Sequence, residues 1–573
     1  MDCSTEPVVP VARPAELTVE WVQGKYRELC ERADQAGDAS GKGVDWISLA
    51  REWNGLKAYL AGERARRNYA FRQDMNNAAA EEADRFMREE IIPPSETGDA
   101  LLGKALLASP ERHRVGAHFG PHLLERLDVK QAPLAPVNSE LRVQVGQLAL
   151  SYDKLVASGE VQVEGETMTL ARARSRMGSA NAGTRRAAYE AYFGWFNQKR
   201  ELLAEIYSEQ VRLRTQMGER LGFPNFLPLG YAGMQRTAYG PKEVALFHAA
   251  VREHVTPLFR AQAEQQAKAL GVETLKPWDA GYFPGRSLPD DVAEPVAQQL
   301  ERFGRIFARL SPELAEHFER MRRENLIDLE NRKGKAAGAF CTSFPDERRV
   351  AIFCNSTGNE DDIGTLAHEM GHAFQCWESQ AIEAVDLRWP TSDAAEVHSM
   401  GMEYLTLPYL DEFLSPDQLK KFTTSRWAEA VRLLCYVCVV DAFQQWVYET
   451  PSASPADRDK EWARLQGIYM PGIDYTGDAA AYRSSRWYAQ LHIFRYPFYY
   501  IDYALAETGA MQLAVRAQTD PDGALETYLN LCRLGGTQDV IHLFAQAGLR
   551  SPFDGECMRD LMAYAARQLQ PAG

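Results

Sequence analysis

Five residues, His368-Glu369-Met370-Gly371-His372, constrain this chain more than any other stretch. They sit in IGTLAHEMGHAFQ, which carries helix formers on both sides and so reads as helix. Successive residues of an α-helix turn by about 100°, so His368 and His372 lie about 40° apart on one face and Glu369 within about 100° of His368. Two imidazoles on one arc can converge on a single Zn2+, and the glutamate then stays beside the water such an ion binds without ligating the metal. With only 11 histidines in 573 residues, a chance H-E-x-x-H anywhere in the chain has a probability on the order of one in a hundred. The alternative is a helix that merely carries two hydrogen-bonded histidines. The spacing favours a zinc peptidase.

Composition narrows the partners. A chain of this length has room for about three to four domain-sized units, and 45% hydrophobic with 25% charged residues is ordinary for a globular protein. The net charge of −15 argues against nucleic acid or an anionic membrane as the main partner. The opening MDCSTEPVVPVARPAEL lacks the apolar core of a secretory signal. The longest strongly apolar run, Leu433 to Val440, is too short to span a bilayer. Nine cysteines, scattered from Cys3 to Cys557, read as reduced thiols and a cytoplasmic location. Cys435-x-x-Cys438 lies in an apolar helical segment without a βαβ context, which points to core packing rather than redox or metal chemistry.

The chain reads as mostly helical. Residues 44–92 contain no proline, and their composition predicts one very long helix or a helical hairpin near Gly62, ended by Pro93 to Gly98. Val161 to Leu170 alternates around Glu164-Gly165 like a small hairpin, and Thr184 to Gly218 returns to amphipathic helix. The boundary falls between residues 170 and 195, which gives an N-terminal helical lobe, 1–180, and a catalytic region, 181–573. Within the first lobe, residues 1–43 have no assigned place.

Directly before the motif, Gly338 to Phe344 and Arg349 to Asn355 are rich in β-formers and flank a Pro-Asp-Glu-Arg turn. An edge strand beside a metal can pair with an extended peptide and align its scissile carbonyl. Gly338, Ala339 and Phe340 are therefore the candidate substrate-binding residues, against a hairpin that only packs.

Two histidines leave a zinc ion short of a ligand. A third histidine of the metzincin type would stand at position 378, which is Glu378, and its glycine at position 375, which is Gln375. The remaining candidates are carboxylates: Glu378, Glu383, Asp386, Asp393, Glu396 and Glu403. Glu378 lies about 120° from the face of His372 on the same helix and points away. After the break at Trp389-Pro390, SDAAEVHSMGMEYL reads as a second helix, and Glu396 and Glu403, at i and i+7, share one face of it. One can ligate while the other holds a ligating imidazole. Glu396 is the favoured ligand, Glu383 its main competitor, and His398 lies off that face in a structural position. His113, His118 and His122 invite a second metal site, but Pro121 interrupts them.

TLAHEMGHAFQ, followed by Glu396 in AAEVHSMGME, resembles the oligoendopeptidase F group of the thimet oligopeptidase and neurolysin family. KGKAAGAFCTSFPDERRVAIFCNSTGNEDDIGTLAHEMGH is similar to that group's hairpin-plus-helix block, and Glu219 to Tyr239, Leu275 to Pro284 and Asp441 to Glu449 are similar to its other recurring segments. The resemblance covers the chain from about Leu101 onward. It implies a mainly α fold with two helix-rich lobes enclosing a deep substrate channel, and a small β-hairpin next to the zinc helix. It also implies one Zn2+ per chain on His368, His372 and Glu396, with Glu369 as the catalytic glutamate. The family places a histidine and tyrosines late in the chain, facing the zinc. Here that block is HIFRYPFYYIDYA, with His492, Tyr496, Tyr499, Tyr500 and Tyr503; the catalytic candidates are His492, Tyr496, Tyr500 and Tyr503. Pro497 predicts a helix start, which puts His492 and Tyr496 on the entering loop and Tyr500 and Tyr503 on the first helical turns. An aromatic core stripe is the competing reading.

The implied reaction is hydrolysis of internal bonds in short unstructured peptides. A zinc carboxypeptidase would also need a cationic clamp for the substrate's terminal carboxylate. A peptide-binding protein with a relic site would not need the full set of catalytic residue types.

Overall fold

The computed structural model describes residues 13–35, 45–286, 288–289 and 291–570. Of the segment without an assigned place, residues 1–12 and 36–43 lie outside the described residues, and Val19–Gln35 is a helix. The fold is mainly α, with 71% helix and 5% strand. It divides into two compact units, and neither is continuous in sequence. One comprises 1–131, 289–416 and 509–549, and the other 132–288, 417–508 and 550–573. The 180/181 division drawn from sequence falls inside the 132–288 segment.

The first unit carries the HEMGH motif. Its long N-terminal helix, Trp46–Gln73, is capped by the Asp45 carboxylate on the Ile47 amide. It buries Trp46, Leu49, Trp53 and Leu56 in a core shared with Leu29, Ile91, Leu102 and Leu387. The helix does not break at Gly62. A Cβ at that position would sit 1.8 Å from Asp346 Oδ1, so glycine makes room for a carboxylate that Arg66 grips at 2.9 and 3.0 Å. The chain leaves helix at Asp74 instead, and the Asn77 side chain caps the next helix, Ala78–Phe86.

Pro93 and Pro94 do not stop the helix that follows. A π turn, Met87–Ile91, precedes Ile92–Ala108 and places both prolines in its first turn, where a missing N–H costs little. Ser95 and Thr97 hydroxyls donate to the carbonyls of Ile91 and Pro93, at 2.7 and 2.9 Å.

The expected hairpin is present: β4 (Phe340–Phe344) pairs antiparallel with β5 (Arg349–Ser356), with Cys341 opposite Ile352. A strand that the sequence reading did not foresee, β3 (Ile327–Glu330), pairs parallel on the far side of β5, so the order is β3-β5-β4. Strand β4 is thus an edge, with β5 as its strand partner among the described residues. The Tyr69 ring of the long helix packs against Phe340, Phe344 and Phe353 with centroids 6.3, 6.3 and 6.4 Å away, and its hydroxyl donates to the Ile352 carbonyl at 3.2 Å.

In the second unit, Glu160–Val163 (β1) and Glu166–Thr169 (β2) form the small hairpin. Its turn residues, Glu164 and Gly165, both have positive φ, 51° and 85°, as a type I′ turn requires. Helix Pro416–Glu449 is long and apolar enough to cross a membrane by length and composition, yet 67% of its apolar window is buried inside the fold. Cys435 and Cys438 on this helix are fully buried, as core packing requires.

The late aromatic block differs from expectation. His492 lies in a short helix, Leu491–Arg495, and the next helix begins at Ile501, not at Pro497. Phe498 takes φ 66°, which no right-handed helix accommodates. This conformation is held from three sides. Its amide donates to Gln444 Oε1 at 2.7 Å, and its carbonyl accepts from Arg236. Its ring lies where a Cβ on Gly230 would stand, 2.4 Å away. Tyr500 therefore precedes the helix and Tyr503 lies in its first turn.

Candidate active site

The HEMGH helix, Glu360–Glu378, starts with the Asn359 side chain capping the Asp361 amide and with Glu360, Asp361 and Asp362 in its first turn, where the helix dipole favours acids. It buries Ile363, Leu366, Met370 and Phe374, which fixes the rotation that sets His368 and His372 side by side. The second helix, Ser392–Thr406, crosses at Gly371. A Cβ there would lie 2.4 Å from the His398 carbonyl oxygen and 2.7 Å from Ser399 Cα, so only glycine permits the approach. The Tyr528 hydroxyl donates to the Gly371 carbonyl at 3.2 Å and pins the same spot.

That crossing delivers Glu396. Its Oε2 lies 3.4 Å from His368 Nε2 and 3.6 Å from His372 Nε2. For ligands about 2.1 Å from a tetrahedral ion, donor atoms are separated by about 3.4 Å. The three donors therefore fit one cation of zinc size, and they form one of two such His/Glu groups among the described residues. Glu403, two turns along the same face, accepts from His368 Nδ1 at 2.7 Å. That bond puts the ring proton on Nδ1 and leaves Nε2 as a lone-pair donor. Ser399 Oγ donates to Glu396 Oε2 at 3.0 Å and holds the carboxylate in place.

The electrostatics suit a metal. Burial lowers the His372 imidazole to about 3 and keeps it neutral. Burial also opposes charge on His368, but its hydrogen bonds to Glu396 and Glu403 prevail and hold it up at about 10. Burial disfavours the ionised Glu396, yet its hydrogen bond to His368 and its closeness to both imidazoles bring it down to about 2. A divalent cation would replace the proton on His368 among the same donors. Glu369 is buried, and burial pushes its carboxyl up to about 7 against the pull of His368 beside it. A carboxyl of that character can take and return a proton near neutral pH.

The other candidate ligands are engaged elsewhere. Glu383 accepts from Arg51 Nε at 2.6 Å and pairs with His118 Nε2 at 2.9 Å. Asp386 accepts from Lys57 at 2.5 Å, and Asp393 from the Thr391 hydroxyl at 2.5 Å. Glu378 joins His317 at 2.8 Å and Arg533 at 3.1 Å. His398 is 1% exposed, with its ring 6.4 Å from Tyr528, a structural position. His118 and His122 are bound to different carboxylates, Glu383 and Glu125, and with His113 they form no metal-holding group among the described residues.

Gly338, Ala339 and Phe340 lead into β4. Gly338 is exposed, with φ 97°, and its carbonyl accepts from Asn355 at 2.9 Å. The Phe340 ring stacks on Phe353 at 4.8 Å, so what this segment can offer a peptide is backbone.

The late block lies in the second unit. Four tyrosines surround His492, with ring centroids at 4.7 Å (Tyr500), 5.9 Å (Tyr499, parallel), 6.1 Å (Tyr503) and 6.3 Å (Tyr496). Burial, with the charge of Arg495, lowers His492 to about 4, so it is neutral at pH 7. Sequence reasoning missed Ser399, Gly371 and Gln490, which contacts His492. Only Ser399 had a visible signal, its i+3 spacing from Glu396.

Residues 176–563 match peptidase family M3. The chain is 24% identical over 396 residues to the oligoendopeptidase F homolog of Lactococcus lactis subsp. lactis, a match covering 65% of this chain and 61% of that protein. It is 22% identical over 390 residues to oligopeptidase PepF of Bacillus subtilis, covering 65% and 54%. The match thus spans about three fifths of these relatives' length or less. The fold is similar to that of PZ peptidase A, solved with an inhibitor, with a TM-score of 0.87, 32% identity and coverage of 97% of this chain and 98% of the other. It is also similar to oligoendopeptidase F from Enterococcus faecium, with a TM-score of 0.61 and 16% identity over 96% and 98%, a likeness of fold alone.

Proposed function

Because the chain belongs to peptidase family M3, a family that implies a divalent metal, we propose that it is a zinc-dependent oligoendopeptidase that hydrolyses internal bonds of short, unstructured peptides in the cytoplasm. One zinc ion per chain is held by His368, His372 and Glu396. The observation that carries this reading is that Glu396 Oε2 stands at tetrahedral edge length from both imidazole nitrogens, beside a buried glutamate. Eight cysteines among the described residues carry free thiols, which supports the reducing compartment.

When bound, the cation supplies Lewis acidity that makes water a nucleophile near neutral pH. Glu369 accepts the proton of the attacking water on its carboxylate and delivers it to the nitrogen of the departing amine. Glu403 holds His368 in the ligating tautomer, and Ser399 steadies Glu396. The backbone of Gly338 to Phe340 aligns an extended peptide by strand addition at the β4 edge. His492, with Tyr496, Tyr500 and Tyr503, supplies hydrogen-bond donors to the developing oxyanion, a role assigned on their polar tips and on the family resemblance.

The test combines metal analysis of the purified chain with mass spectrometry of products from a mixed peptide pool, with and without a chelator. About one zinc per chain and chelator-sensitive internal cuts are expected. A chain that binds no zinc, or that only trims single residues from one end, overturns the reading.

A further inference from the structure

Between the two helices that carry the proposed zinc ligands, the chain is tied down at four successive carbonyls. Those of Asp386 and Trp389 accept from Arg126 Nη1 at 2.7 and 3.1 Å. That of Leu387 accepts from the Gly536 amide at 2.7 Å, and that of Arg388 from the Gln375 side-chain amide at 2.7 Å. A Cβ on Gly536 would lie 2.6 Å from the Trp389 carbonyl oxygen, so glycine permits this close packing. Pro390 further narrows the backbone choices of Trp389. Leu387, Arg388 and Pro390 are buried, yet Trp389 is 40% exposed.

Apolar side chains exposed singly are common and mean little by themselves. Trp389 stands apart by its place. Its ring centre lies 5.4 Å from that of His372, a proposed zinc ligand, with the planes at 43°. An exposed indole on a fixed backbone is an apolar surface that loses little freedom when a ligand covers it. An extended peptide advances about 3.3 Å per residue. With its scissile bond at the donor set, the side chains that reach this ring belong to residues within about two of the cut. Successive side chains point to opposite faces, so one such position meets the ring and its immediate neighbour does not.

We propose that Trp389 is a specificity-determining residue: its indole is the wall against which a large apolar side chain, aromatic above all, of one substrate residue beside the scissile bond packs. This inference rests on the peptidase reading above. The contact removes apolar surface of both partners from water, and an aromatic side chain adds an offset or edge-to-face ring contact. Trp389 moves no proton in this scheme. It selects which bond of the peptide is presented to Glu369.

The test is a randomised pool of short peptides blocked at both termini, cut by the full-length, zinc-loaded chain and read by product mass spectrometry. The wild type should favour large apolar over small side chains at one position within about two residues of the cut. For matched single peptides that preference should reach about 10–100-fold in kcat/KM, the range that filling an apolar contact gives. Trp389→Ala should flatten this position by about 10-fold and disturb the others less, and Trp389→Phe should restore part of the preference. Zinc content and melting temperature of both variants should match the wild type, because the ring is exposed and the backbone contacts hold the segment. An unchanged preference in Trp389→Ala, or no such preference in the wild type, would overturn the proposal and leave the peptidase reading standing. Loss of zinc from Trp389→Ala would also overturn it, by making the ring a cover for His372 rather than a wall for substrate. A wild type without chelator-sensitive cleavage would instead remove the peptidase reading on which the proposal rests.

Discussion

At the scale of single residues, the division between ligand and base is the point to test. Glu369 is buried one residue from a proposed ligand, yet Oε2 of Glu396 is the carboxylate atom that stands at tetrahedral spacing from both imidazoles. Glu369→Gln should retain zinc by metal analysis and lose activity by about 10²–10⁴-fold, the worth of a general base; loss of zinc together with activity would make Glu369 a ligand. Glu396→Ala should lose zinc at concentrations where Glu383→Ala keeps it, because Glu383 is committed to Arg51 and His118. Retained zinc in the first variant and lost zinc in the second would reverse the assignment. The histidines, Glu369 and the pairing of Glu396 with Glu403 were legible in the sequence because helical periodicity alone places them on shared faces. The fate of Glu383 was not. Its partners stand 332 and 265 positions away, and no local pattern encodes such pairs.

At the scale of elements, the site depends on two helices meeting at Gly371. Alanine is better than glycine in a helix interior by about 1 kcal/mol, so Gly371→Ala would stabilise an uncrowded helix. Here the new Cβ meets backbone atoms of His398 and Ser399, and overpacking of that kind costs about 1–3 kcal/mol. The variant should therefore melt lower than wild type. It should also bind zinc more weakly in competition with a chromophoric chelator, because a shift of the second helix draws Glu396 off the two imidazoles. A higher melting temperature with unchanged zinc affinity would show that the crossing tolerates a methyl group. The same close approaches explain which elements the sequence misplaced. Gly62 looks like a helix breaker until Asp346 is seen to occupy the space of its missing side chain. Pro93 and Pro94 look like a stop until a π turn shifts them into a first helical turn. Pro497 looks like a start, but Phe498 is held at positive φ by Gln444 and Arg236, residues more than fifty positions away. At Gly62 and Phe498 tertiary contacts overrode a local signal.

At the scale of the whole molecule, composition carried the helical class, but the division into units was not legible along the chain. The chain passes between the units at 131/132, 288/289, 416/417, 508/509 and 549/550, and one of those points lies inside helix Ile501–Ala517. No linker-like shift in composition marks such a place. Under the proposed strand addition, what the molecule accepts as substrate follows from the strand at its sheet edge. β4 offers five residues, about 17 Å of backbone at about 3.3 Å per residue. A peptide must bring an equal length of unpaired main chain to it. A folded protein can do so only by local unfolding, whose cost in core elements approaches the global 5–15 kcal/mol, so its cleavage should be slower than that of a free peptide by about 10³-fold or more. We therefore expect internal cleavage of a peptide of roughly 6–18 residues blocked at both termini, with folded proteins left intact. The resemblance to short-peptide peptidases extends that expectation to denatured whole proteins. The measurement is product mass spectrometry with the zinc-loaded chain, with and without chelator. Blocked termini should leave turnover unchanged, since the proposed strand addition would hold the peptide by its backbone on both sides of the scissile bond. If blocking the C-terminus abolishes turnover while the free peptide loses residues one at a time, the chain is a carboxypeptidase. Peptide binding without chelator-sensitive cleavage would make it a binding protein.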